Sequence, residues 1–267
     1  MLKVLNSFKG RARKSYKLAR LGGNLLSGGA FIRTCYQFPS FSKIDDFSLN
    51  DYRLFKLWVS DLVHSMNTDV CVTGQVMAES GLFVSNHISW LDTIILNDIQ
   101  ALSFIARHDL ADWPLLGTFT KRMDSIYINR SNKFQAYRSI PAIEEKLNDG
   151  HSVHLFPEST TSDGWQVLPF YSMFYEAALR SNKPVQPVLI RYTDGCGNFL
   201  PEPAFINDDT FFDTLSRILG VKRVRAHVHF CEPISAQEVQ CLGRKNLSRT
   251  SKAIIEKELV LSGMARL

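Results

Sequence analysis

The sequence of 267 residues lacks long apolar runs, paired cysteines and the glycine motifs of several common enzyme classes. Its longest uncharged stretch near the N-terminus, LGGNLLSGGAFI, has 12 residues and four glycines, whereas a membrane-spanning helix needs about 20 predominantly apolar residues. The five cysteines form no CxxC pair, which is typical of reduced thiols in a cytosolic environment. Without GxSxG, GxGxxG or a P-loop, the sequence does not indicate a serine hydrolase, a dinucleotide-binding enzyme or a P-loop nucleotide hydrolase.

Acidic side chains are also absent from the first 44 residues, which carry nine Lys and Arg; the rest of the chain has 22 basic and 26 acidic side chains. As a helix, residues 4–20 place one apolar stripe among basic residues, formed by Leu5, Phe8, Ala12, Tyr16 and Ala19. Such a segment suits an anionic membrane surface. We expect residues 1–44 to contact the membrane and residues 45–267 to form the main domain. A disordered arm, a nucleic-acid tail and a mitochondrial presequence remain alternatives.

Short β-rich runs alternate with helical patterns along the main domain. Strands are predicted at 70–76, 81–86, 102–107, 125–130, 152–156, 185–192 and 224–230. Helices are predicted at 48–66, 89–99, 113–122, 133–148, 170–181 and 246–261. This alternation predicts an α/β fold with a mostly parallel central sheet flanked by helices.

Polar residues follow three of these strands. Asn86 and His87 follow the second strand, Asn129 and Arg130 follow the fourth, and residues 157–161 (PESTT) follow the fifth. Functional groups of parallel sheets gather beyond the carboxyl ends of the strands. We therefore expect these clusters to form one site at one edge of the sheet.

The pair His87 and Asp92 has the chemistry of a general base. Imidazole can remove a proton from a hydroxyl group near neutral pH, and a carboxylate can orient the ring and stabilise its protonated form. Five residues within one helix would separate the two side chains by about 140°. They meet only if His87 lies in the turn before a helix that Ser89 caps. A histidine satisfied by its neighbouring turn is the structural alternative.

The set NHISWLD, FIARHDLADWPLLG, IYINR, FPESTTSDG and VQPVLIRY, in this order, resembles the glycerolipid acyltransferase family, known for its 1-acylglycerol-3-phosphate acyltransferases. The resemblance covers about residues 80–195. It implies a glycerol-3-phosphate-acyltransferase-like fold, so that residues 45–267 become an acyltransferase domain. It also implies an O-acyltransferase reaction, with acyl-CoA or acyl carrier protein as co-substrate, without a cofactor, a metal or a covalent acyl-enzyme.

The resemblance assigns roles to individual residues. It implies that His87 is the general base and that Asp92 orients it. Asn129 and Arg130 match a block that contacts the acceptor's phosphate, and a guanidinium suits that task. The substrate-binding block that many members write as EGTRS corresponds here to Glu158, Ser159, Thr160 and Thr161, followed by another serine.

This block departs from the family pattern. Ser159 stands where many members have glycine, and Thr161 stands where they have arginine. The loss of the arginine favours a different phosphate contact or another head group, and the block is similar to that of lyso-ornithine-lipid acyltransferases. We expect a membrane-associated enzyme at the cytoplasmic face that acylates a lysolipid, foremost 1-acylglycerol-3-phosphate to phosphatidic acid, or a related lysophospholipid. Lyso-ornithine lipid as acceptor, thioester hydrolysis and a non-catalytic lipid-binding relative are the alternatives.

Overall fold

The computed structural model describes residues 12–27, 49–100, 102–108, 117, 125–128 and 133–263. Within them lies one sheet of seven strands, and every strand overlaps a run predicted from the sequence. The strands are β1 (Thr68–Gly74), β2 (Leu82–Ser85), β3 (Ser103–Arg107), β4 (Ile126–Ile128), β5 (Val153–Leu155), β6 (Val185–Thr193) and β7 (Val224–Phe230).

The strand order is β1-β7-β6-β2-β5-β3-β4. All neighbouring strands run parallel except β6 and β7, which pair antiparallel. The central strand β2 lies between β5 and β6, and all four of its residues are buried. Burial on both faces explains why β2 begins with three consecutive apolar residues, 82–84, instead of alternating apolar and polar ones. The predicted mostly parallel sheet is confirmed.

Helices cover both faces of this sheet. The described helices are α1 (residues 12–27), α2 (Leu49–Ser65), α3 (Trp90–Ile99), α4 (Lys133–Arg138), α5 (Ile140–Asn148), α6 (Tyr175–Arg180), α7 (Phe211–Gly220) and α8 (Ala236–Leu261). Phe83 of β2 packs in a core cluster with residues of α2, α3 and α7. Its neighbours Leu82 and Val84 pack in a second cluster with residues of α5, α6 and α8. Alternate side chains of one strand therefore anchor two layers of helices.

Several helix boundaries differ from the prediction. The run 133–148 divides into two helices, with Pro141 in the first turn of the second, since proline fits a helix start but disrupts its interior. Helix α7 was not predicted, although Thr210 and Asp213 form a capping box. The last helix was predicted to start at 246, whereas α8 begins at Ala236 and is broken at Gly243. The predicted helix 113–122 lies outside the described residues apart from Gly117.

Helix α1 has one buried face and one exposed face. Leu21 lies in the core, and the buried Lys17 donates through Nζ to the Val221 carbonyl at 2.5 Å. From the predicted stripe, Ala12, Tyr16 and Ala19 are exposed, while Leu5 and Phe8 lie outside the described residues. Among the helices described, none combines the length and apolar character needed to cross a membrane.

Candidate active site

The turn between β2 and α3 brings His87 and Asp92 together. Ser89 has extended backbone angles and caps α3 through its hydroxyl, which accepts from the Leu91 N–H at 3.3 Å. Asp92 is the third residue of α3 and completes the capping box by accepting from the Ser89 N–H at 2.9 Å. Because this box curls the chain before the helix, His87 Nδ1 lies 2.9 Å from Asp92 Oδ2. The geometry expected for the pair is present.

Asp92 is fully buried and accepts hydrogen bonds from four donors. Oδ2 accepts from the backbone N–H groups of Ile88 at 2.7 Å and Ser89 at 2.9 Å, in addition to the His87 ring. Oδ1 accepts from the Tyr192 hydroxyl at 2.6 Å. Burial and the adjacent carboxylate raise the pKa of Tyr192 well above its usual value, so this hydroxyl remains a donor. A carboxylate held at both oxygens has little freedom to rotate away from the imidazole.

The face of the His87 ring also packs against an aromatic side chain. It stacks on Phe156 with ring centroids 3.8 Å apart and an interplanar angle of 19°. The His87 carbonyl accepts from the backbone N–H of Ser162 at 2.8 Å, which ties the turn to the loop after β5. With Nδ1–H donating to Asp92, the other ring nitrogen, Nε2, has no hydrogen-bond partner within the described part of the chain. It is the atom that can accept a proton from a substrate.

A second histidine lies buried beneath this pair. His154 of β5 is fully buried, and its Nε2 lies 3.0 Å from the Ser85 hydroxyl. Its ring centroid is 4.7 Å from that of Phe156. Burial, with a smaller contribution from His87, lowers the pKa of His154 to about 3. His154 is therefore neutral at physiological pH and adds no charge behind His87.

Glu158 lies beside the His87 turn and is buried. Its Oε1 accepts from the His87 backbone N–H at 3.4 Å, and its Oε2 has no partner among the described residues. Burial raises the pKa of Glu158 to about 8, with the nearby Asp92 carboxylate adding to the effect. Near neutral pH this carboxyl group is therefore protonated and able to donate a hydrogen bond.

The three residues after Glu158 have different surroundings. Ser159 has a φ of +63°, in the region that favours glycine. Ser159 and Thr160 line a groove, while the Thr161 hydroxyl donates to the Phe205 carbonyl. The backbone of Phe205 in turn donates to the Ile88 carbonyl at 2.9 Å. Thr161 thus links the loop to the His87 turn.

The groove has a volume of about 880 Å³. It begins at Phe156, the ring stacked on His87, and at Glu158. Most of its lining is apolar and comes from the end of β5, from α4 and from residues 171–174. Phe134 of α4, one of the lining residues, is 83% exposed. A long apolar group lying in this groove would end against Phe156 and Glu158, both of which contact His87.

The structure brings together the polar residues that follow β2 and β5, because these strands are direct neighbours in the parallel sheet. Asn86 lies beneath the site, where its side-chain amide donates to the Ile190 carbonyl and accepts from the Ile190 N–H, both at 2.8 Å. The third predicted pair, Asn129 and Arg130, lies outside the described residues, directly after β4.

Tyr192, His154 and Phe156 were missed as neighbours of the pair. The run VQPVLIRY has a tyrosine at its end, but only the pairing of β2 with β6 places Tyr192 near Asp92.

A metal site is not evident in the described part of the chain. His227 and His229 bond to Thr193 and Thr73, and the described part of the chain contains no group of three potential metal ligands.

The fold and the site together define a class of protein, an α/β protein with a histidine–aspartate pair at the carboxyl edge of a parallel sheet, next to an apolar groove. Comparisons with known proteins go further. A family model described as Acyltransferase matches residues 69–191. Lyso-ornithine lipid O-acyltransferase from Rhodobacter capsulatus is 33% identical over 192 residues, which are 69% of this chain and 67% of that protein.

Other relatives are also named as acyltransferases. Lyso-ornithine lipid O-acyltransferase from Pseudomonas aeruginosa is 30% identical over 214 residues, covering 80% of each protein. The 1-acyl-sn-glycerol-3-phosphate acyltransferase of Neisseria meningitidis is 32% identical over 149 residues, 56% of this chain and 58% of that protein. The crystal structure of the acyltransferase PlsC from Thermotoga maritima shares the fold, with a TM-score of 0.70, 15% identity and 98% coverage of both chains. The chain belongs to the acyltransferase family, as its motifs predicted.

Proposed function

We propose that the protein transfers an acyl group from an acyl thioester to the hydroxyl of a lysolipid, with His87 as general base. The observation that carries this proposal is the 2.9 Å contact between His87 Nδ1 and Asp92 Oδ2, made by a carboxylate that three further donors hold in place. This contact fixes the tautomer in which Nε2 is the proton acceptor.

The reaction then proceeds without a covalent enzyme intermediate. His87 Nε2 removes the hydroxyl proton as the acceptor oxygen attacks the thioester carbonyl, and Asp92 stabilises the imidazolium that forms. The tetrahedral intermediate collapses with cleavage of the carbon–sulfur bond. The leaving thiolate of acyl-CoA or acyl carrier protein takes the proton from the imidazolium, which regenerates the neutral histidine.

Two acceptors are supported by the comparisons. Two relatives, which match 69% and 80% of this chain, act on lyso-ornithine lipid by their names, and Thr161 stands where the family resemblance leads us to expect an arginine. Both observations favour lyso-ornithine lipid. The Neisseria relative supports the other acceptor, 1-acylglycerol-3-phosphate, which would yield phosphatidic acid. We place lyso-ornithine lipid first, reversing the order expected from the motifs alone.

The exposed face of α1 supports a location at the membrane surface. On an ideal helix, Tyr16 and Leu26 lie on the side opposite the buried Leu21, and they are 68% and 78% exposed. Arg13 and Arg20 lie together along one edge of that side, and Arg20 also pairs with Asp61 at 3.5 Å. Apolar and cationic groups on one exposed side of a helix suit an anionic bilayer. We propose that residues 1–44 hold the acyltransferase domain, residues 45–267, on the cytoplasmic face, where a soluble donor reaches a lipid acceptor.

Mass spectrometry of the reaction products tests the proposed function. Purified protein would be incubated with palmitoyl-CoA and, separately, lyso-ornithine lipid and 1-oleoyl-lysophosphatidic acid. Wild-type protein should form a diacyl product from at least one acceptor. His87→Ala should reduce its rate about 100-fold or more, since general bases typically contribute 10²- to 10⁴-fold. His64→Ala, an exposed histidine of α2, is the matched control and should retain the rate.

Other outcomes would contradict the proposal in different ways. Free fatty acid as the sole product, lost in His87→Ala, would indicate that His87 activates water and that the protein is a thioesterase. Lipid binding without turnover of any acceptor would favour a non-catalytic relative. Full activity of His87→Ala would remove His87 as the base, even if the diacyl product forms.

A further inference from the structure

Arg244 is the only basic side chain that lines the groove among the residues described. It reaches the groove because α8 is broken directly before it. Gly243 has φ +63° and ψ 161°, angles that leave the helix, and the helix resumes at Arg244. A residue with a β-carbon would adopt this φ only under strain. The break therefore sets the direction from which Arg244 approaches the groove.

The ion pairs around Arg244 leave a surplus positive charge at this rim. Glu176 Oε2 lies 3.7 Å from Arg244 Nη1, while Glu176 Oε1 lies 3.2 Å from Arg180 Nε. Arg180 also donates to the Tyr137 hydroxyl at 3.0 Å. One carboxylate thus serves two guanidinium groups, and its contact with Arg244 is the longer. A partly exposed ion pair at this distance contributes little to stability, so an anionic ligand can displace it.

Other charges near the groove do not cancel this surplus. Glu158 at the inner end of the groove keeps its proton near neutral pH, since burial raises its pKa to about 8. Lys252, which lies after Arg244 in the same part of α8, pairs with Glu256. The inner end of the groove is therefore uncharged while its rim is cationic, which suits an amphiphile with an apolar chain and an anionic head.

The loop after β5 does not supply a cation to this site. Thr161 is bonded to the Phe205 carbonyl and does not line the groove. Arg244 comes from a different element and lies on the same groove as Ser159 and Thr160. A guanidinium group binds phosphate or carboxylate through two parallel hydrogen bonds.

We propose that Arg244 binds an anionic group, phosphate or carboxylate, of a substrate whose acyl chain lies in the groove. This inference rests on the proposed acyl transfer to a lysolipid and makes Arg244 a determinant of substrate specificity. The anion belongs either to the lysolipid head group or to the phosphates of the acyl donor. Both sources present the same chemistry to the guanidinium, and paired charged and uncharged substrates distinguish them.

Dissociation constants measured by isothermal titration calorimetry test this proposal independently of turnover. The lysolipid arm compares 1-oleoyl-lysophosphatidic acid and lyso-ornithine lipid with uncharged 1-oleoylglycerol. The donor arm compares palmitoyl-CoA with the phosphate-free palmitoyl thioester of N-acetylcysteamine. Arg244→Met keeps the apolar stem without the charge, and Arg244→Lys keeps the charge without the fork. Arg249→Met, an exposed arginine of the same helix, is the matched control.

Arg244→Met should raise the dissociation constant about tenfold or more for the anionic member of one arm, as loss of a charged hydrogen bond implies. The uncharged member should bind as before, and Arg244→Lys should restore part of the affinity. A change in the lysolipid arm identifies the head group, and a change in the donor arm identifies the donor's phosphates. Equal changes for charged and uncharged members, or none beyond Arg249→Met, would overturn the role of Arg244. Wild-type protein that binds these ligands without forming diacyl product would instead contradict the proposed reaction.

Discussion

Replacing Glu158 by glutamine should change how the stability of the protein depends on pH. The wild-type carboxyl is buried, and its pKa is raised from 4.5 to about 8. Between these values the unfolded chain releases the proton while the folded chain keeps it. The contribution of this group to the free energy of unfolding is therefore fully present below pH 4.5 and is lost as the pH rises towards 8. The neutral amide of Glu158→Gln does not titrate and still offers an oxygen to the His87 N–H.

The size of the effect follows from linkage. Each pH unit between the two pKa values lowers the free energy of unfolding by up to about 1.4 kcal/mol. From pH 5 to pH 8 the total is about 3.5 kcal/mol, less than three full steps, because the unfolded carboxyl is not yet fully ionised at pH 5 and the folded one begins to ionise near pH 8. The glutamine variant should gain this amount relative to the wild type over the same interval. Other titrating groups, including the buried His154, cancel in the difference between the two proteins.

Urea unfolding at pH 5, 6, 7 and 8, followed by tryptophan fluorescence, measures this difference. Glu145→Gln, which removes an exposed carboxylate from α5, serves as the control for a general change in charge. A constant difference in unfolding free energy between wild type and Glu158→Gln would refute the reasoning, because it would mean that Glu158 ionises in the folded protein as it does in the unfolded chain.

Three further predictions concern a hydrogen bond, a strained backbone position and an exposed apolar surface. Tyr192→Phe removes the 2.6 Å hydrogen bond to Asp92 and should lower the free energy of unfolding by about 1.5–3 kcal/mol in urea titrations, with a smaller loss of kcat than His87→Ala. Ser159→Gly should raise the unfolding free energy by about 1 kcal/mol, because a φ of +63° strains a residue with a β-carbon; an unchanged midpoint would contradict this. Tyr16→Ser with Leu26→Ser should weaken binding to anionic vesicles about tenfold or more in co-sedimentation, since both side chains are exposed apolar groups.

All seven described strands and the identity of the central pair could be predicted from local patterns. The strand β2 is short and apolar up to Val84, and the polar residues that begin at Ser85 mark its carboxyl end. Helix α7 was missed because its apolar residues follow a polar loop, and its capping box at Thr210 and Asp213 is a short signal. The extension of α8 was missed because Gly243 interrupts its pattern.

The sequence by itself determined the parallel α/β layer, the pairing of His87 with Asp92 and the basic character of the N-terminus. These features depend on residues within about five positions of one another, or on composition. Only the tertiary structure decided that Tyr192 holds Asp92, that Phe156 lies against the His87 ring, and that Arg244 reaches the groove. Such contacts join residues far apart in the chain, and strand order, which no local pattern specifies, decides which of them meet.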